Sequence, residues 1–208
     1  LDISKPDSVS NFATSFASKY PAGCDALFNN AAIAFKAADP TPFYGQSEPT
    51  VSTNVFGTID VTNKLLPHVK KARGRVVTVA SRSGLLRTLK TQELKDMFVN
   101  AQEVKQLTDV ARDFIKDAQE NGEANAFSSS NYGMSKCLVI AYTRVMQKLE
   151  PDIGWSSFCP GFCNTSMTSG KGNLNPDPDP DPDPDSDSDP DPDPDRDPDP
   201  DSDPNPNR

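Results

Sequence analysis

Val76-Val77-Thr78-Val79-Ala80-Ser81 constrains the fold of this chain more than any other stretch. Its β-branched side chains follow one another without polar alternation, the pattern of a parallel strand buried on both faces rather than one with a wet side. Parallel neighbours cannot be joined by a tight turn. The chain must therefore leave such a strand, cross over through a helix and return. The flanking sequence supplies those pieces. Ser47 to Lys71 reads as a long helix with Val51, Val55, Ile59, Leu65, Leu66 and Val69 on its buried side, and Gly74-Arg75 turns out of it. Cys24 to Asn30 reads as an earlier short strand, and Trp155 to Cys159 as a later one that ends at Pro160-Gly161. Leu1-Asp2-Ile3 reads as the last residues of a strand. Ser4-Lys5-Pro6-Asp7 then opens a helix with Val9, Phe12, Phe16 and Tyr20 on its apolar stripe and proline in its first turn, and Pro21-Ala22-Gly23 ends it. Residues 33–46 read as a loop punctuated by proline. The predicted class is α/β, a parallel sheet with flanking helices.

In such sheets ligands gather at the C-terminal ends of the strands. Asn29-Asn30, Ser81 and Pro160-Gly161 all stand at such ends. Farther along, Tyr132 and Lys136 are four residues apart, so a helix capped by Ser129 or Ser130 would carry both on one face. A phenol titrates near ~10, too high for efficient proton transfer at neutral pH, and an adjacent ammonium is expected to lower it. The same spacing also suits an ordinary amphipathic helix, and Asn29-Asn30 also suits a simple turn cap. Asn54 fits a buried amide tied to helix carbonyls. Between Ser81 and Tyr132, Glu93 to Glu120 has helical periodicity (Leu94, Met97, Phe98, Val104, Leu107, Val110, Phe114, Ile115).

The end of the chain is different material. From Pro176 to Arg208 it holds 14 Asp, 12 Pro and two Arg, with Ser186, Ser188 and Ser202 as interruptions. Setting those charges aside from the chain's 30 acidic and 21 basic side chains leaves 16 acidic and 19 basic in residues 1–175, so the acidity belongs to the repeat. Proline removes backbone donors and the carboxylates repel, so residues 171–208 are expected to be an extended, disordered acidic tail behind a domain of residues 1–170. Cys24, Cys137, Cys159 and Cys163 show neither metal-type spacing nor a dense disulfide framework, which fits a reducing, cytoplasmic setting without a bound metal. No apolar run approaches the ~20 residues of a membrane span. Lys70-Lys71-Arg73-Arg75 lacks aromatic interleaving and reads as a solvated helix end rather than a nucleic-acid site. His68, the only histidine, lies near that helix end and is given no role.

The ordered set Asn29-Asn30-Ala31-Ala32, Asn54, Ser81, Tyr132-x-x-x-Lys136 and Pro160-Gly161 resembles the short-chain dehydrogenase/reductases. The words around Ile33 to Lys36, Asp39 to Phe43 and Thr53 to Thr58 resemble their monomeric carbonyl reductase branch, and the resemblance runs from residue 1 to about 168. It implies a Rossmann-type fold and NADPH-linked reduction of ketones, aldehydes and quinones. In that frame Tyr132 protonates the carbonyl oxygen and Ser81 donates a hydrogen bond to it, with Ser83 the alternative hydroxyl. Lys136 holds the nicotinamide ribose and tunes the phenol, and Asn54 holds a water in the proton relay. Asp2 and Ile3 border the adenine, Asn30 the centre of the cofactor, and Cys163, Asn164 and Thr165 its nicotinamide end. Phe35, Lys36, Ala37 and Gln46 match positions that can contact glutathione, which makes glutathione adducts candidate substrates. The long segment before Tyr132 matches an insertion that packs where other members associate, implying a monomer.

The glycine-rich turn with which the family grips the pyrophosphate is not found, and the sequence opens at the end of what would be the third strand. Ala32 stands where the family has glycine, and Ala80 where serine is common. The expectation is a fragment truncated at its N-terminus, with impaired carbonyl reduction. Its alternative is a non-enzymatic module that binds a partner through an open sheet edge or the acidic tail.

Overall fold

A computed structural model of the chain describes residues 1–122, 126–165 and 167–168. The chain divides into two units, Leu1–Leu174 and Asn175–Arg208, and every described residue belongs to the first. The disorder expected of residues 171–208 lies outside the described residues.

Three strands, β1 (Ala26–Asn29), β2 (Arg75–Val79) and β3 (Gly154–Phe158), form a parallel sheet in the order β1-β2-β3, with Leu27 opposite Val76 and Val76 opposite Trp155. The β-branched run is thus the central strand, as its composition requires. Helix α1 (Pro6–Lys19) precedes β1. Between β1 and β2 the chain is helical from residue 43 to 71, as α2 (Phe43–Val51), a wider π-helical turn (Ser52–Gly57) and α3 (Thr58–Lys71). This helix begins inside the segment predicted as loop. Pro42, extended at φ −65° and ψ 159°, lets the chain enter α2 at Phe43. Leu1-Asp2-Ile3 is not a strand. Asp2 accepts bonds from the Ser4 amide (3.0 Å) and hydroxyl (2.7 Å), so the carboxylate closes a turn into α1 instead of extending a sheet.

The periodicity over residues 93–120 resolves into two helices, α4 (Gln92–Asn100) and α5 (Val104–Asn121). The Thr91 hydroxyl caps α4 by accepting from Leu94 (3.2 Å), and Glu103 with Gln106 forms a capping box that starts α5 afresh. A hydrophobic pattern carries no record of such a break, because both helices present one apolar side to the same core. Helix α6 (Asn131–Leu149) follows, and Ser130 is its cap, accepting from Gly133 (2.9 Å).

The main core lies between one sheet face and the helices, joining Val76 and Trp155 to Leu138, Tyr142, Leu107 and Phe114, while Val9, Val61 and Leu65 make a smaller one between α1 and α3. Burial on both faces was the sequence expectation for β2, and the described residues cover one. Val76 and Thr78 are buried, Val77 and Val79 half-buried, and on the second face Phe28 and Phe158 are 63% and 46% exposed. No helix among the described residues is long and apolar enough to cross a membrane.

Burial pushes the Cys137 thiol, on α6, up to about 12. The folded chain then keeps a proton that the unfolded chain loses near pH 9, so this contribution is complete below pH 8 and fades as pH rises through 9 towards 12. The stability difference between the protein and its Cys137→Ala variant is expected to narrow by about 1–2 kcal/mol between pH 8 and pH 10 in urea melts.

Candidate active site

The three strands deliver their C-terminal ends to one cleft of about 730 Å³. From β1 come Asn30 and the Ala31–Ala37 segment, from β2 Val79 to Ser81, and from β3 Cys159 to Cys163. Helix α6 adds Tyr132 and Lys136 from its first two turns. The helix is buried almost all round, which suits a run such as Met134, Cys137, Leu138 and Val139, and Tyr132 and Lys136 are the side chains it contributes to the cleft.

Two glycines bring α6 close enough to meet Ser81. A Cβ on Gly84 would stand 2.5 Å from the Lys136 carbonyl carbon, and one on Gly133 would stand 2.7 Å from the Ser83 carbonyl oxygen. The turn after β2 and the first turn of α6 therefore touch backbone to backbone. Ser81 is extended (φ −160°); its hydroxyl accepts from Ser83 N (3.2 Å) and lies close enough to the Tyr132 phenol to draw its pKa down. Of the two serine candidates, Ser81 is the one that acts on the phenol's pKa; Ser83 also lines the cleft.

Lys136 is 4% exposed, and its Nζ donates to the Val79 carbonyl at 2.7 Å while standing 5.5 Å from the centre of the Tyr132 ring. Burial lowers its pKa to about 8, with the neighbouring Cys159 pulling the other way. Burial also raises the Tyr132 phenol above its ordinary value, the Ser81 hydroxyl drawing it part of the way back and Cys159 adding to the rise. This corrects the expectation that Lys136 lowers the phenol. The ammonium bonds a carbonyl rather than the phenol, and desolvation outweighs its field.

Asn54 lies behind the cleft wall. It is 2% exposed, its Oδ1 accepts from Ile33 N (2.8 Å), and its Nδ2 donates to the Ile33 carbonyl (2.9 Å) and to the Ser135 hydroxyl (3.0 Å). Its side chain thus clamps a loop peptide and α6 rather than reaching into the cleft. Helix carbonyls, the simpler sequence expectation, are not its partners either.

Of the other expected positions, Asn30, Phe35, Lys36, Ala37, Cys163 and Thr165 line the cleft. Asp2, Ile3, Gln46 and Asn164 do not. Asp2 is exposed and held down to about 2 by the Ser4 hydroxyl and Lys5. Ile3 packs on the smaller core, and its carbonyl faces Gly57. Gln46 turns inward to the Thr41 carbonyl (2.6 Å). Sequence reasoning missed Cys159, Gly84, Gly133 and Ser135. Cys159 carried a signal, since it directly follows β3 and precedes Pro160-Gly161. The glycines and Ser135 act through approach distances that no spacing rule reports.

Among the described residues the walls carry Lys36 and Lys136 and no carboxylate, so this lining favours electron-rich groups. Only one of the three Lys136 donors is engaged among the described contacts, which suits a ligand hydroxyl at its Nζ. No glycine-rich phosphate turn stands among the described residues, so the residues present suit the ribose and ring end of a dinucleotide.

The family model for short chain dehydrogenase matches residues 1–92. Carbonyl reductase (NADPH) 1 of Rattus norvegicus is 38% identical over 181 residues, which cover 82% of this chain and 64% of that protein. Carbonyl reductase (NADPH) 3 of the same species is 36% identical over 183 residues, 83% of this chain and 65% of its own length. The chain thus spans slightly less than two thirds of the curated relatives it matches. Among solved structures, salutaridine reductase from Papaver somniferum superposes with a TM-score of 0.71 at 23% identity, covering 83% of this chain and 71% of that one. Menthone neomenthol reductase from Mentha piperita gives 0.65 at 22%, covering 82% and 70%. At those identities the structural likeness speaks for the parallel-sheet fold alone. The sequence likeness says more, and by it the chain belongs to the short-chain dehydrogenase/reductase family.

Proposed function

We propose that this chain carries the catalytic half of an NADPH-dependent carbonyl reductase acting on ketones, aldehydes and quinones. The observation that carries the reading is the pair of hydroxyls, Ser81 and Tyr132, lining one cleft with the buried Lys136 ammonium. The cofactor, when bound, supplies the hydride. A substrate oxygen seated between the two hydroxyls accepts a hydrogen bond from Ser81 and takes the Tyr132 proton as negative charge develops on it. Burial keeps the phenol protonated at neutral pH, the state a proton donor needs. Lys136 offers a cation beneath the phenolate left behind and a donor to the ribose. Cys163 and Thr165 border the ring end, Asn30 the middle of the cofactor, and Phe35, Lys36 and Ala37 the substrate side, where a glutathione adduct would place its carboxylates near Lys36. Asn54 acts from behind the wall, through the segments it clamps.

A monomer is supported by α5 lying against α2 and α6, and a cytoplasmic setting by four cysteines that form no disulfide. A second reading, a module that binds a partner strand, is favoured by β1 standing at the edge of the sheet among the described residues, beside the exposed Phe28. Titration of the purified chain with NADPH separates the two. Enhanced cofactor fluorescence and turnover of menadione support the enzyme, with low turnover marking impairment. No binding at millimolar cofactor overturns it. Because Lys136 loses its proton near pH 8, reduction is expected to fall as pH rises above 8, approaching tenfold per unit, in initial rates measured from pH 6 to 10.

A further inference from the structure

Ser135 lies between the two chemical residues of α6 and belongs to neither role. It is fully buried (0% exposed), and its hydroxyl makes two bonds in different directions. It donates to the Tyr132 carbonyl at 2.8 Å and accepts from Asn54 Nδ2 at 3.0 Å. Asn54 in turn holds both peptide groups of Ile33, whose neighbours Ala32 and Ala34 line the cleft. A continuous set of hydrogen bonds thus runs from the loop after β1, through the π-helical turn, to the turn of α6 that bears the phenol. The same turn also rests on Arg82–Gly84 through the glycine contacts. Those contacts stop α6 from moving closer to Ser81, and nothing in them stops it from moving away. The bond from Asn54 supplies the tether that contact alone does not, tying the turn to the loop after β1.

We propose that Ser135 is a positioning residue whose hydroxyl joins the Asn54 clamp to the first turn of α6 and so holds the Tyr132 phenol against Ser81. This deepens the carbonyl reductase reading and rests on it for its consequence in turnover, but the geometric claim stands apart from activity. Alanine at 135 removes both bonds and leaves one Asn54 amide hydrogen buried without its acceptor, and the turn can then relax away from Ser81. Cysteine keeps the volume with a weaker donor and acceptor.

The test uses the full chain with its tyrosines carbon-13 labelled at Cζ, the Tyr132 resonance being assigned by its loss in Tyr132→Phe. In Ser135→Ala the Tyr132 resonance is expected to shift or broaden while those of Tyr20 and Tyr44 stay in place. Asn54→Ala is expected to disturb the same resonance, and the double variant to add little to either single change. Ser135→Cys falls between, and it serves as the test should the alanine variant fail to fold. With NADPH and menadione, Ser135→Ala lowers kcat by roughly tenfold or more with KM for NADPH within about twofold. A Tyr132 resonance unmoved in every folded variant, with only the melting temperature lowered, overturns the proposal. A moved resonance in a protein without turnover would retain the positioning role and reject the enzyme reading instead.

Discussion

Tyr132→Phe is expected to lower carbonyl turnover by about 10²–10⁴-fold while leaving NADPH affinity within about twofold. The phenol is the hydroxyl held against Ser81 and backed by the Lys136 cation, so its loss removes the proton donor without emptying the cleft. Phenylalanine keeps the ring, and Lys136 keeps its bond to the Val79 carbonyl. The change should therefore fall on kcat, read from menadione reduction at saturating cofactor, with little change in the cofactor titration. Ser81→Ala should give a smaller loss, because Tyr132 still donates one of the two hydrogen bonds to the developing oxyanion. Equal activity in Tyr132→Phe and the parent chain would mean that the proton comes from elsewhere, and the role given to this pair would have to be withdrawn.

The second large effect is expected at a residue with no chemistry of its own. In Gly84→Ala the new methyl would stand 2.5 Å from the Lys136 carbonyl carbon, 2.7 Å from Cys137 N and 2.8 Å from Lys136 Cβ. Two of those three are backbone atoms of a buried helix, which cannot swing aside as a surface side chain would. The turn after β2 and α6 must separate, so the variant is expected to lose about 1–3 kcal/mol of stability in urea melts. The same separation draws Ser81 away from Tyr132. Because reacting groups displaced by about 1 Å lose on the order of 10²-fold in rate, turnover should fall about that far in the protein that remains folded. A Gly84→Ala variant as stable and active as its parent would show that α6 is not held by this contact.

The chain's elements were legible to different depths. The β-branched run named the central strand because a strand buried by its neighbours needs no polar alternation, and the alternation of strands and helices then required parallel pairing. Tyr132 and Lys136 could be placed on one helical face from spacing, and Ser130 could be named among the caps, since both follow from the 3.6-residue turn and the orphan amides at a helix start. The resemblance to the family supplied the roles of Ser81, Asn30 and Cys163, which spacing did not. The break between α4 and α5 was hidden, because two helices packed on one core share one periodicity. Leu1-Asp2-Ile3 misled because three residues, two of them apolar, fit a strand end as well as they fit the turn that the Asp2 carboxylate closes.

The amino-acid sequence by itself settled the kind of sheet, the place of its three described strands along the chain, and the polar residues Asn30 and Ser81 at two strand ends. All of these depend on period and on local backbone preference. Only the tertiary structure decided that the phenol is raised rather than lowered, that one face of the sheet is left bare among the described residues, and that Asn54 clamps rather than faces the cleft. The physical reason is common to the three. Desolvation, cover and hydrogen-bond partnership depend on atoms brought from distant parts of the chain, such as Ile33, Asn54 and Ser135, whose meeting no local pattern records.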